Sequence, residues 1–505
     1  MSRFLVKAGI FLASVAVLLA GCHSASEVQG GVPLVAPLRI DGVTIVDTRD
    51  GKLTPGMSIL MDHGEIAAIT PTSSTLKAPG MLSVDASGKF VVPGYNDMHV
   101  HVLDQANASA LLALMLTEGV TGFRQMSGSP ELLAQRRDGK LPIGKDTPAL
   151  LAMPGNVLTP LNAGSLQQVQ SEIRQQKLQG ADFIKVGILD PKVFFDAIAE
   201  STRVGLPIVG HLQEGVDAAR ASQEGFRSIE HLGPGDTMWI ACSANQAALL
   251  AESAQHPIMK APRIRIPGFI QKMAMPWIQK RLINPAAFED AADVARLQRA
   301  LDTYDGATCR TLAARFVSNN TWQVPTLVRL RTQELADSPE YLLDPALQVM
   351  EPAAVKKWRE VTDQFHKLPQ TSLLTFREAY QRQLALTKLF DDAGIKMMTG
   401  TDGGGQVPGQ SLQQEFAELA KAGLSPLTIL QMTTIAPATF LGRTAKMGTV
   451  QVGKNADLVL LDANPIESVQ NLSRIHGVVR AGSYFSRIDL NAQKARVEAG
   501  QGRLP

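Results

Sequence analysis

Residues 91–101 read VVPGYNDMHVH. Val91 and Val92 form a short buried strand, Pro93-Gly94 interrupts it, and the run ends in two histidines one residue apart. Side chains at i and i+2 of a strand share a face and lie roughly 6–7 Å apart, so His99 and His101 can close on one metal ion. A lone His-x-His is a weak signal. Its weight here comes from position, because three later strand ends also finish in a residue able to bind metal.

Downstream of His101, short apolar strands alternate with amphipathic stretches. The strands are Val120–Phe123, Ala149–Met153, Phe183–Val186, Pro207–Gly210, Ser228–Glu230, Gln323–Pro325 and Ile395–Thr399. With Val91–Val92 leading into the histidine pair they predict an α/β chain folded as a (β/α)8 TIM barrel, strands inside and helices outside. Chemistry in such barrels sits at the C-terminal strand ends. Read in order, those ends carry His99 and His101, then Lys185, His211, His231 and Asp402, so four of the nine histidines fall on one rim. Lys185, in FIKV, shares a face with Phe183, whereas Ile184 and Val186 face the helices. An ammonium cannot bind a cation. The alternatives are a carboxylated lysine bridging two metals, a lysine salt-bridged to Asp402 in a one-metal site, or a solvated lysine at a strand end. Asp402, in MTGTDGGG, can bind metal through one oxygen and take a proton from metal-activated water through the other, acting as general base and then acid. Glu230 alternates away from His231 as a structural partner. Arg124 is read as pairing with an acid in preference to a substrate carboxylate.

Strand-like pieces separated by Asp41-Gly42, Asp50-Gly51, His63-Gly64 and Ser87-Gly88 precede the barrel and predict a small antiparallel β domain. The same texture returns from Lys446. Residues 38–90 and 446–490 are therefore expected to pair into a composite β-sandwich made from N- and C-terminal segments, around a barrel at 91–445. An insertion at 232–310, with Trp239, Phe269 and Trp277, is expected to cover the barrel mouth.

Residues 1–21 have a basic start (Arg3, Lys7) and an apolar run too short to span a bilayer comfortably. The run ends Leu-Ala-Gly-Cys, which resembles the lipobox of bacterial lipoproteins. It implies a signal peptide cleaved before Cys22, lipidation of Cys22, and a tether at 22–37. His23 in place of Asp favours the outer over the inner membrane by the same resemblance, so the expected address is the cell envelope, facing the periplasm. Removing Arg3 and Lys7 leaves 47 basic against 47 acidic residues. No basic stripe with interleaved aromatics exists, which argues against nucleic acid as a partner. Cys242 and Cys309 are read equally well as a disulfide or as two buried thiols. Oligomeric state is not legible, and a homo-oligomer is compatible with the sequence.

These motifs together resemble the amidohydrolase superfamily, in particular the group related to imidazolonepropionase and the metal-dependent prolidases. The resemblance runs from about Leu38 to Phe485 through PGYNDMHVH, Lys185, GH at 210–211, IEH at 229–231, TGTD at 399–402 and the closing GTVQVGKNADLVLLDANP. It implies two divalent metal ions, usually zinc, with Lys185 carboxylated between them. His99, His101 and Asp402 would hold one ion, and His211 and His231 the other. Two departures stand out: Phe123-Arg124-Gln125 where relatives often read V-R-D, and Asn96 before Asp97. The expected function is metal-dependent cleavage of an amide C–N bond in a dipeptide, an N-acyl amino acid or a cyclic amide. A lactone, carbamate or phosphate ester could occupy the same site, and a non-catalytic envelope binding lipoprotein is the reading of another class.

Overall fold

The computed structural model describes residues 37–74, 81–255, 280–339, 347, 352–403 and 410–499. The leader at 1–21, Cys22, the tether up to residue 36, Phe269 and Trp277 lie outside the described residues. Among the described residues no helix is long and apolar enough to cross a membrane.

The chain opens on β1 (Leu38–Val46), β2 (Leu53–Asp62), β3 (Glu65–Pro71), β4 (Leu82–Asp85) and β5 (Phe90–Pro93). It closes on β13 (Leu458–Leu461), β14 (Ile475–Arg480) and β15 (Ser483–Ser486). These eight strands form one sheet in the order β15-β14-β13-β5-β1-β2-β3, with β4 also on β1. The hairpin from β2 to β3 turns at His63 and Gly64, both at positive φ, as a tight two-residue turn between right-twisted strands requires. Ile40, Val43, Ile59, Val91, Leu460 and Val479 make its core. Contrary to an all-antiparallel domain, β4 and β5 run parallel to β1. Register shifts between Ile40 and Ile45 bend β1, so its first half pairs β4 and its second half β5.

Seven further strands are parallel. β6 (Tyr95–Val100), β7 (Val120–Gln125) and β8 (Ala149–Ala152) form one sheet, and β9 (Ile184–Val186), β10 (Ile208–Gly210), β11 (Ser228–Glu230) and β12 (Trp322–Val324) another. Backbone hydrogen bonds link the two sheets on one side, from Asp182 N to Met153 O at 3.0 Å and from Leu158 N to Lys185 O at 2.9 Å. On the other side residues 397–399 stand between them, with Met398 N on Gln323 O at 3.0 Å and Met98 N on Thr399 O at 2.9 Å. Two expectations are corrected here. Ile395–Thr399 is a segment with a single bridge, Gln323 to Met397, rather than a strand. Val91–Val92 belongs to the composite sheet, and the strand that carries the histidines is β6. The switch falls between adjacent amides: Gly94 N bonds Asp457 O at 2.8 Å, Tyr95 N bonds Gly119 O at 3.0 Å.

The parallel strands are almost wholly buried, β8 and β10 with the apolar sequence of helix-covered strands and β6, β7, β11 and β12 with polar side chains among the buried ones. Ile184, Val186, Ile208 and Ile229 pack outward on helices. Phe183, Met126, Ala152 and Val209 form a separate inner cluster, as the alternation in FIKV requires. The Pro191–Val204 helix shows how local sequence sets these crossovers. Asp190 caps its start by accepting from Lys192 N, Pro191 occupies the first turn, and Gly205 ends it in the left-handed region. Its buried Phe194, Ala197 and Ile198 supply the face laid on the sheet.

Part of the 232–310 insertion is ordinary scaffold. Gly306–Ser318 is the helix that precedes β12, and Trp239 is buried in the outer core at 2 % exposure rather than spread over an opening. Cys242 and Cys309 form a disulfide across this region, with Cα atoms 4.3 Å apart.

Candidate metal centre

β6 delivers His99 at its fifth residue and His101 just beyond its end. His99 is fully buried, and its Nδ1 donates to Glu230 Oε2 at 2.8 Å. The other Glu230 oxygen accepts from Arg124 Nη2 at 2.9 Å, and Arg124 Nε donates to Met98 O at 2.6 Å. This buried relay fixes the imidazole so that Nε2 faces the interior. The same device recurs twice with hydroxyls. His101 Nδ1 pairs with Ser127 Oγ at 2.6 Å, and His231 Nδ1 with Thr326 Oγ1 at 2.6 Å. Thr326 passes its own proton to Pro325 O, so it accepts from His231. Holding Nδ1 in this way aims Nε2 as a ligand atom.

The three aimed nitrogens converge on Asp402. His101 Nε2 lies 3.1 Å and His99 Nε2 3.4 Å from Oδ1, and His231 Nε2 lies 3.7 Å from Oδ2. Ligand atoms of His99, His231 and Asp402 all fall within 4.8 Å of one another. The His211 ring stands 5.0 Å from that of His231. The residues read from the sequence as one rim are therefore brought together. The closest group, however, joins His231 to His99 and Asp402, across the two sets that the resemblance implies. Lys185 is buried, and its Nζ has no hydrogen-bond partner. Among the described residues it makes no ion pair, so the salt bridge to Asp402 is not formed.

The backbone here is held in costly conformations. His231, Leu232, Thr326 and Asp402 are non-glycine residues at φ between 47° and 59°, worth of order 1 kcal/mol or more each. Asp97 helps to hold the last of these. It accepts from His99 N and Thr401 N, both at 3.1 Å, and from Thr401 Oγ1 at 2.7 Å. One carboxylate thus ties the β6 histidine to the turn bearing Asp402. Gly400 leaves room for that turn, because a Cβ there would stand 2.7 Å from His99 Cβ and 2.5 Å from Val324 Cγ1.

Electrostatics follow from burial and from the shared carboxylate. Burial, aided by Lys185, drops the His99 proton affinity to a pKa of about 3 and lowers His211 and His231 well below the usual range. At His101 burial opposes the charge, but Asp104 and Asp402 outweigh it and raise the pKa to about 9. Burial would raise Asp402, yet His99, His101, His231 and Arg329 together hold it well below the carboxylate norm. Lys185 is pushed down by burial to about 8, against the pull of Glu230 and Asp402.

The donor set fits a divalent cation. Neutral imidazoles and an ionised carboxylate are borderline nitrogen and oxygen ligands of the kind zinc takes. His99 Nε2, wholly buried, has no hydrogen-bond partner in the protein itself. Sequence reading missed Arg329, whose Nε lies 3.1 Å from Asp402 Oδ2. It comes from the first turn of the Leu327–Glu334 helix, and no motif in the sequence marks it. Glu230 and Arg124 pair with each other, as their polarity suggested.

Residues 377–484, which include Asp402, match the model of the Amidohydrolase family. Among curated proteins, an adenine deaminase of Rubrobacter xylanophilus is 26 % identical over 264 residues, 46 % of this chain and 42 % of its own. The chain thus aligns with less than half the length of that relative. Among solved structures, bottromycin amidohydrolase superposes with a TM-score of 0.65 at 21 % identity, over 92 % of this chain and 90 % of its own. A Xaa-Pro dipeptidase with methionine bound in its active site superposes at 0.57 and 17 % identity, over 89 % of this chain and 100 % of its own. At these identities the likeness carries the fold: the chain has the α/β architecture of amidohydrolases, and the segment that matches that family's model includes the turn bearing Asp402.

Proposed function

We propose that this chain is a metal-dependent hydrolase that cleaves the C–N bond of a small amide inside a closed (β/α)8 barrel. The observation that carries the reading is the convergence of His99, His231 and Asp402 within 4.8 Å beside the unpartnered Nζ of Lys185. The hydrogen bonds at Met98–Thr399 and Leu158–Lys185 support barrel closure. His99, His101 and Asp402 would hold one ion and His211 and His231 a second, with Lys185 between them. A divalent ion held there supplies Lewis acidity toward the carbonyl oxygen and a water that ionises near neutral pH.

The protein's own groups supply the rest. Asp402 stays ionised at neutral pH, takes the proton of the attacking water and returns it to the leaving nitrogen. Arg329 on Oδ2 restrains the carboxylate while Oδ1 faces the histidines. Lys185, with its pKa lowered to about 8, holds a usable fraction of neutral amine. The cation gives up one proton to become that amine, and the amine can add to carbon dioxide, forming an N–C bond and releasing a second proton, so that the buried cation becomes a carbamate anion. Substrates of this class are dipeptides, N-acyl amino acids or cyclic amides. The curated adenine deaminases favour a second reading, hydrolytic removal of an exocyclic amine as ammonia.

Metal content by plasma mass spectrometry and turnover on amide, aminopurine and lactone panels test the proposal. Amino acid release supports the first reading and ammonia release the second. Full activity of Asp402→Asn, or turnover by protein free of divalent metal, would end both. The proposed address is the periplasmic face of the outer membrane, anchored through Cys22, where the Cys242–Cys309 disulfide is chemically stable. The mass of the N-terminal fragment from the membrane fraction checks the anchor.

A further inference from the structure

The Leu327–Glu334 helix starts in an unusual way. Its N-cap residue is Thr326, a residue type that ordinarily caps a helix by accepting from the second or third amide. Thr326 makes no such bond. Its backbone lies in the left-handed region, at φ 47° and ψ 47°, instead of the extended conformation that turns a capping side chain over the helix end. Its hydroxyl is committed elsewhere, accepting from His231 Nδ1 at 2.6 Å and donating to Pro325 O at 2.8 Å. The first amides of the helix still have partners, as buried amides require. Thr326 O accepts from Arg329 N at 2.8 Å and from Leu330 N at 3.1 Å. The other two are met from outside the helix. Glu415 Oε2 accepts from Val328 N at 2.7 Å, and Leu327 N also hydrogen-bonds the Glu415 carboxyl group.

Glu415 belongs to the Gln410–Lys421 helix and is fully buried. Burial pushes its pKa up to about 8, so at neutral pH it works as an acceptor that needs no charge. One turn further on, Glu418 fastens the same two helices, accepting from Arg331 Nη1 at 2.8 Å and from the Tyr380 hydroxyl. The helix held in this way brings two groups to the candidate metal centre: Thr326, on His231, and Arg329, whose Nε stands 3.1 Å from Asp402 Oδ2. Thr326 has reason to leave. Its left-handed backbone costs of order 1 kcal/mol or more, and an extended Thr326 would gain a cap worth about 1 kcal/mol. What opposes that change is that Glu415 already satisfies the amides Thr326 would cap.

We propose that Glu415 is a positioning residue for the candidate metal centre: by capping the Leu327–Glu334 helix in place of Thr326, it frees the Thr326 hydroxyl to hold His231. The proposal rests on the metal-dependent reading above, and its test separates the two. Glu415→Leu fills the space but withdraws the acceptor, so the Val328 amide should draw the Thr326 hydroxyl away from His231. In metal-free protein with isotope-labelled histidine, the Nδ1 proton of His231 is the downfield imidazole resonance that Thr326→Val removes. Glu415→Leu should remove it too, and Glu415→Gln, which keeps an acceptor oxygen, should retain it. Chelator competition should show divalent affinity about tenfold lower in Glu415→Leu, with less than about a twofold further loss in the Thr326→Val background. Should Glu415→Leu fail to fold, Glu415→Asp, one methylene short of the amide, is read in the same way. A resonance unmoved in the Glu415 variants, or an affinity loss of equal size in both backgrounds, would overturn the role of Glu415. A resonance lost as expected in a protein that binds no divalent ion keeps that role and sinks the hydrolase reading. Metal-dependent turnover with an unmoved resonance does the reverse.

Discussion

The two sides of the candidate metal centre are built differently. On the β6 side every ligand candidate is tied down. His99 is held by Glu230 and Arg124, His101 by Ser127, and Asp402 by Arg329 and a backbone bond to His99 O. On the β9–β10 side Lys185 Nζ has no hydrogen-bond partner, and among the described residues the His211 side chain shows only its ring packing on His231. A buried polar group without a partner costs about 1–3 kcal/mol. The first side is organised by the protein alone, and on the second the proposed ion would supply the missing partner.

Changes on the organised side should do the most damage. Asp402→Asn should lower kcat/KM by roughly 10³–10⁴-fold with the fold intact, read from steady-state kinetics beside circular dichroism. Glu230→Gln should cost about 3–5 kcal/mol of stability, because it leaves the Arg124 charge buried and unpaired. Urea unfolding would show it, and the Arg124→Met/Glu230→Gln double variant should recover a large part. On the open side, Lys185→Ala should leave metal-free stability unchanged or improved, remove about one bound ion per chain and slow turnover by roughly 10²-fold. A clear loss of metal-free stability would break the contrast. Thr326→Val keeps the shape but removes the acceptor for His231, and should weaken metal binding by about tenfold, measured by chelator competition.

The smallest effect expected is on pH dependence after chelation. His99, with its folded pKa lowered to about 3, binds fewer protons folded than unfolded between there and its ordinary value near 6.5. Stability of the metal-free protein should therefore rise with pH across that window. His101 has its folded pKa raised to about 9, so its contribution is complete below about 6.5 and is lost as pH climbs through 9. The thermal midpoint should climb in acid and level off or fall above neutrality. An even rise through pH 9 would remove the distinction between the two histidines.

Much of this arrangement was legible because strands impose a period of two. The i, i+2 pair at His99 and His101, and the inward face of Lys185 and Phe183, need only alternation and burial. Strand boundaries were less legible, since Val91–Val92 and Tyr95–Val100 are both buried and only Pro93-Gly94 stands between them. Only the change of partner at Gly94, from Asp457 to Gly119, assigns them to different sheets. Arg329 was hidden because it reaches Asp402 from a helix whose placement depends on the whole barrel. The disulfide was left open for a similar reason: its cysteines are 67 residues apart, and no local pattern links them. The parallel placement of β4 and β5 on β1 depends on bulges in β1 that its sequence does not announce.

The composite sheet has a consequence for the order in which the chain can fold. β5 pairs Val91 with Leu460 of β13, yet it is synthesised near the start and its partner near the end. Until residues 458–461 emerge, one long edge of β5 presents unpaired amides and carbonyls next to an apolar face, a surface prone to pairing with other chains. Closure of this sheet is a late, long-range step, slow by its loop length. A chain truncated before β13 should therefore be lost to aggregation even though the histidines, Lys185 and Asp402 are all present in it.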